Sequence, residues 1–187
     1  MSTMSKTVIQ ALMKQYISAK SKEIMAAKPQ GKQYMELLDM EQLSAYIEGI
    51  WARKCGEVPV EITAISSMAC AALEPDKERR QELIKKALAG VSGVGGVAAI
   101  ISAVATALGW GVSMWAAITA AVAGVSLAGP IGLAAVGSLA VLLAGYLIFS
   151  SDSKEEASEK ALKIFREGIN DVITDSLWDK YKDRWQD

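Results

Sequence analysis

The fold class the sequence predicts is all-α: a bundle of amphipathic helices around a hydrophobic, Ala/Gly-rich helical hairpin or triplet. Three observations lead there. Apolar residues recur at three- and four-residue spacing on both sides of the centre, and no stretch alternates as a strand would. Between Lys86 and Asp152, about 65 residues carry no charged side chain.

Val8, Ile9, Leu12, Met13, Tyr16 and Ile17 share one face of a first helix, which Pro29-Gln30-Gly31 ends. A second helix begins after Asp39, a side chain suited to an N-cap. It runs through Leu43, Tyr46, Ile47, Ile50 and Trp51 to Cys55, where Gly56 offers a left-handed stop. Pro59 suits the first turn of a third helix, with Ile62, Ile65, Met68 and Ala72 on its buried face. Pro75-Asp76 breaks that helix before a charged fourth one, Lys77 to Leu88.

The uncharged run follows. About 20 apolar residues suffice for one membrane-spanning helix, so the run is long enough for three. Gly109-Trp110-Gly111 and Ala128-Gly129-Pro130 are its natural breaks, leaving candidate membrane segments at 91–108, 112–128 and 130–149. Asp152 with Glu155 resembles a capping pair opening a last helix. Its stripe is Leu162, Phe165, Ile169, Val172, Ile173, Leu177, Trp178 and Tyr181, amphipathic to the end. The chain therefore divides into an amphipathic region (1–86), an uncharged region (87–151) and a C-terminal amphipathic helix (152–187).

Charged residues make up 22% and hydrophobic ones 51%, near globular averages, yet mean hydropathy is +0.22 because the charges are segregated. Net charge is -1, so no positive field gathers phosphates, and nucleic acid is not an expected partner. Histidine is absent, which removes His-based general bases, Ser-His and Cys-His nucleophiles and the commonest transition-metal ligand. Gly90, Gly93, Gly95 and Gly96 lack the preceding strand and the Lys-Ser/Thr pair of a phosphate loop. Glu155, Glu156 and Glu159, interleaved with Lys154 and Lys160, read as a solvated helix start. No catalytic residue, metal ligand or cofactor is expected, and the protein is not expected to be an enzyme. Cys55 and Cys70 form no CxxC pair and read as reduced, buried thiols. Met1 to Gln15 lacks the apolar core of a secretory signal, which points to synthesis in the cytoplasm followed by membrane association.

Within the uncharged run, small residues recur every fourth position: Gly95, Ala99, Ala103, Ala107 and Gly111, then Ala116, Ala120, Gly124 and Ala128. Such stripes let another backbone approach closely, favouring a tight hairpin or a homo-oligomer in a membrane; Ala/Gly abundance alone would also generate them. The turns at Gly109, Trp110, Gly129 and Pro130 carry no charge, so moving them across a bilayer avoids the ~2.5–3.5 kcal/mol of each mid-membrane Lys, Arg or Asp. Trp110 and Trp115 suit either a head-group interface or a core. Trp178, Tyr181 and Trp185 pose the same choice, and packing of the helix stripe is the reading preferred there. Lys77, Arg79, Arg80, Lys85 and Lys86 form a basic flank that would stay cytoplasmic if the segment spans; a solvated helix face is compatible with the same residues.

This helix order resembles the channel-forming domains of pore-forming colicins, in which amphipathic helices sheathe a buried Ala/Gly-rich hairpin. The resemblance is one of architecture, without a residue motif, and the uncharged stretch is longer here. It implies a small pore-forming or membrane-permeabilising toxin or effector. The partners to expect are then a lipid membrane, further copies of the chain, and an immunity protein or chaperone. Two alternatives fit the same sequence: a constitutive integral membrane scaffold or accessory protein with a cytoplasmic helical domain, and a helical interaction module whose apolar helices are simply core.

Overall fold

The computed structural model describes residues 4–27, 39–91, 94–109 and 154–186, and every regular element among them is a helix. Seven are described: α1 (Lys6–Ala26), α2 (Met40–Cys55), α3 (Val60–Leu73), α4 (Lys77–Gly90), α5 (Val94–Leu108), α6 (Lys154–Val172) and α7 (Asp175–Tyr181). They pack against one another as an all-α bundle.

Side-chain caps start most of them. The side chains of Ser5, Asp39, Asp76 and Thr174 accept from the backbone N–H three residues on, at 3.3, 3.0, 2.8 and 3.2 Å, satisfying donors that the first turn leaves free. Gly56 ends α2 with φ +80°, a conformation that costs glycine little, and its N–H donates to Ala52 O at 3.0 Å. Pro59 lies one residue earlier than its spacing suggests, at the cap rather than in the first turn. Its ψ of 137° is extended, and its carbonyl accepts from Ile62 at 3.0 Å and Thr63 at 3.2 Å.

The C-terminal helix is not continuous. It breaks at Ile173-Thr174, where the Thr174 hydroxyl caps a new helix instead of prolonging the old one. The apolar stripe nevertheless continues across the break, and Phe165, Ile169, Ile173, Leu177, Trp178 and Tyr181 are all buried.

At the centre lies α3, packed by α2, α4, α5 and α6. Of the expected face, Ile62, Ile65 and Met68 are fully buried and Ala72 is half-buried, but Ala64, Ser66, Ala69 and Ala71 are buried too, so α3 is a core helix rather than an amphipathic one. Ser66 is accommodated because its hydroxyl donates to Ile62 O at 3.0 Å. In α1, Ile9, Met13 and Ile17 are buried as expected while Val8, one step round the helix, stays 47% exposed. The turn at Pro29-Gln30-Gly31, the segments at 112–128 and 130–149, and the Asp152 cap lie outside the described residues.

Candidate functional site

Of the uncharged run, residues 87–91 at the end of α4, α5 and Gly109 after it are described. The fifteen residues of α5 lack any charge, yet they have distinct faces. Val97, Ile100, Ile101, Val104 and Ala107 are buried in the bundle, where α5 packs on α6 and α3; Ala99 and Thr106 are exposed. The helix then stops at Gly109, whose φ of +65° is again the left-handed turn conformation.

The described members of the small-residue stripe do not share one environment. Gly95 lies in the first turn, Ala99 is exposed, and Ala103 and Ala107 are buried. At 3.6 residues per turn, a four-residue repeat drifts about 40° at each step, so a line begun on one side ends on another. Gly111, Ala116, Ala120, Gly124 and Ala128, together with Trp110, Trp115, Gly129 and Pro130, lie outside the described residues.

Close approach occurs elsewhere. A methyl group on Gly168 of α6 would stand 2.9 Å from Ile65 Cγ2 and 3.0 Å from Ile65 Cδ1, so this glycine lets α6 sit against the central α3. Gly96 has a comparable role at the start of α5, where a Cβ would meet the Val91 carbonyl oxygen at 2.3 Å. A glycine inside a helix costs about 1 kcal/mol relative to alanine, and that cost was the available sign that Gly168 serves packing.

The basic flank is not uniform. Lys85 and Lys86 are exposed on α4, beside a shallow hollow they share with Arg79, Glu82, Leu83 and Ala89. Arg79 is exposed and pairs with Glu74 at 3.4 Å and Glu41 at 3.7 Å. Arg80 is 7% exposed: its Nη2 donates to Glu74 O at the end of α3, and its Nη1 has no acceptor among the described residues. Burial pulls its pKa down, opposed by the nearby Glu74 and Asp76 carboxylates. Arg80 thus ties α3 to α4 instead of lying on a solvated face.

At the opposite end of the chain, aromatic residues close the bundle. Trp51 of α2 is fully buried with Trp178, Tyr181 and Trp185 edge-on around it at 6.3, 6.0 and 5.2 Å between ring centres. Trp178, Tyr181 and Trp185 thus serve packing. Beneath them the Cys55 thiol is buried, its Sγ 4.0 Å from Tyr181 O, and burial pushes its pKa up to about 11. Cys70 is half-buried, near the Ser44 hydroxyl at 3.9 Å; both cysteines are free.

Among the described residues, no cluster of Cys, Asp and Glu could hold a metal ion, and no helix is long and apolar enough to cross a membrane. Comparison of the chain with family models, curated proteins and solved structures gave no match.

Proposed function

We propose that the protein is a membrane-active helical protein, a small pore-forming or permeabilising effector that is folded first and inserted afterwards. The observation that carries this reading is the uncharged run of about 65 residues between Lys86 and Asp152, in which neither the turn at Gly109 nor the break expected from the sequence at Gly129-Pro130 offers a charge to hold it in water. The burial of α5 against α3 and α6 supports a resting state in which the first part of the run is sheathed. At about 1.5 Å per residue, the fifteen residues of α5 reach some 22 Å, short of a ~30 Å hydrocarbon core, so insertion requires more of the run than α5 alone. Release of a self-quenched dye from phosphatidylcholine vesicles containing phosphatidylglycerol tests the proposal. Dye release is expected, and its absence over a range of pH and anionic lipid content would end the idea.

A second reading is favoured by the same burial of α5: a helical interaction module in which the apolar helices are permanent core. It predicts that residues 91–149 gain no protease protection when vesicles are added.

A further inference from the structure

The segment from Thr174 to Gln186 is joined to α6 only through the helix break at Ile173-Thr174, and it is tied to the far end of the chain at several points. Trp178 Nε1 donates to Met4 O at 2.7 Å, Lys6 pairs with Asp175 at 3.1 Å, Arg184 bonds Glu57 at 2.9 Å, and Gln186 N–H donates to Lys54 O at 2.9 Å. All four partners sit at the start of α1 or the end of α2. Gln10 of α1 reinforces the hinge, its amide donating to the carbonyls of Asn170 and Ile173, both at 3.0 Å.

These ties are unequal. Both ion pairs are substantially exposed, with Arg184 and Glu57 45% and 49% accessible, and exposed pairs contribute little. What holds the segment is the packing of Trp178, Tyr181 and Trp185 around Trp51, with the Trp178–Met4 and Gln186–Lys54 bonds at its two ends. A short element fastened by one aromatic cluster and a few part-buried or exposed polar ties opens at lower free energy than the bundle core.

We propose that α7 and the tail form a clasp that opens as a unit about Ile173-Thr174 and gates membrane entry of the uncharged run. This rests on the pore-forming reading above. Closed, the clasp and Gln10 pin the end of α6 to α1 and α2; open, that end is released, and α6 with its partner α5 is left held by α3 and by the rest of the α1 face.

Cys55 reports the state of the clasp, since Tyr181 covers it and only opening returns the thiol to water and to its ordinary reactivity. The experiment measures alkylation of Cys55 by N-ethylmaleimide in a Cys70→Ser background, with helicity followed in parallel by circular dichroism. Trp178→Phe keeps an aromatic side chain but removes the bond to Met4 and part of the packing on Trp51 and Trp185, and should speed alkylation at least about three- to tenfold, the worth of the hydrogen bond alone, without loss of helicity. Dye release from the phosphatidylglycerol-containing vesicles should quicken by a similar factor. Lys6→Gln, which breaks the exposed ion pair to Asp175, should give a smaller change in the same direction and serves if Trp178→Phe does not fold.

If Cys55 reacts only at the rate of global unfolding, the clasp is not an independent unit and the proposal is overturned. If alkylation quickens while dye release, present in the parent, stays unchanged, the gating role is overturned. Faster alkylation with no dye release from any form, the parent included, would instead sink the pore-forming reading, and gating with it.

Discussion

α3 and α5 are neighbours of nearly equal length, and between them they carry one charge, Glu61, yet they are held in different ways. α3 presents Ile62, Ile65 and Met68 to a bundle that covers it with α2, α4, α5 and α6. Among the described residues, α5 is covered chiefly by α6 and α3, and it shows Ala99 and Thr106 to solvent. Lack of charge thus does not decide a helix's place. Bulky side chains covered by four helices make α3 core although Val60 and Thr63 reach solvent, whereas among the described residues α5 has fewer helix partners.

Substitutions can break or sharpen this contrast. The largest effect is expected from Ala103→Lys, which would bury an unpaired ammonium at a position 2% exposed and cost about 3–5 kcal/mol in urea unfolding. Next come truncations at two fully buried isoleucines. Ile65→Ala should cost about 4 kcal/mol and Ile100→Ala about 2, because the less surrounded α5 can shift to close the cavity. Equal losses would remove the distinction between the helices. Gly168→Ala should destabilise by about 1–3 kcal/mol despite its better helix propensity, and less than additively with Ile65→Val, which removes one of the crowding methyls. Ala99→Lys, on the exposed side of α5, should leave stability within about 0.5 kcal/mol while abolishing dye release.

pH offers a milder probe of the clasp. Hydrogen bonds from Tyr181 and Arg184 hold the Glu57 carboxyl below its ordinary 4.5, so its contribution is present above that value and lost as pH falls through the lower, folded one. Burial, together with the bond to Glu57, pushes the Tyr181 hydroxyl from 10.0 up to about 12, so its contribution is present below 10 and lost on the way to 12. Tryptophan fluorescence should therefore be flat from about pH 5 to 9 and change beyond both ends, and Glu57→Gln should remove the acid limb.

Much of this organisation was legible in the residues. Asp39 and Gly56 act locally, so their caps follow from sequence, as does the break at Pro75-Asp76, and the apolar spacing of α1, α2 and α6 is visible because polar residues interrupt it. Other features depend on partners distant in the chain. The central position of α3 was hidden because its Ala and Ser residues fit a surface or a core equally well, and only surrounding helices decide. Arg80 reads as a surface cation until the end of α3 brings the Glu74 carbonyl to it. The break at Thr174 was masked by a stripe that keeps its spacing through Leu177, Trp178 and Tyr181. Within the candidate segment the turn at Gly109 was readable, whereas the side of α5 on which Ala99, Ala103 and Ala107 each fall was not, since a four-residue repeat drifts around the helix.

The central claim is that the uncharged run leaves the bundle for a bilayer. Mixing the protein with phosphatidylglycerol-containing vesicles, washing with alkaline carbonate and floating the vesicles tests it most directly. The account predicts that the protein stays with the vesicles and that residues 91–149 resist protease there. Recovery of all the protein in the carbonate wash, with those residues still cleaved, would contradict it.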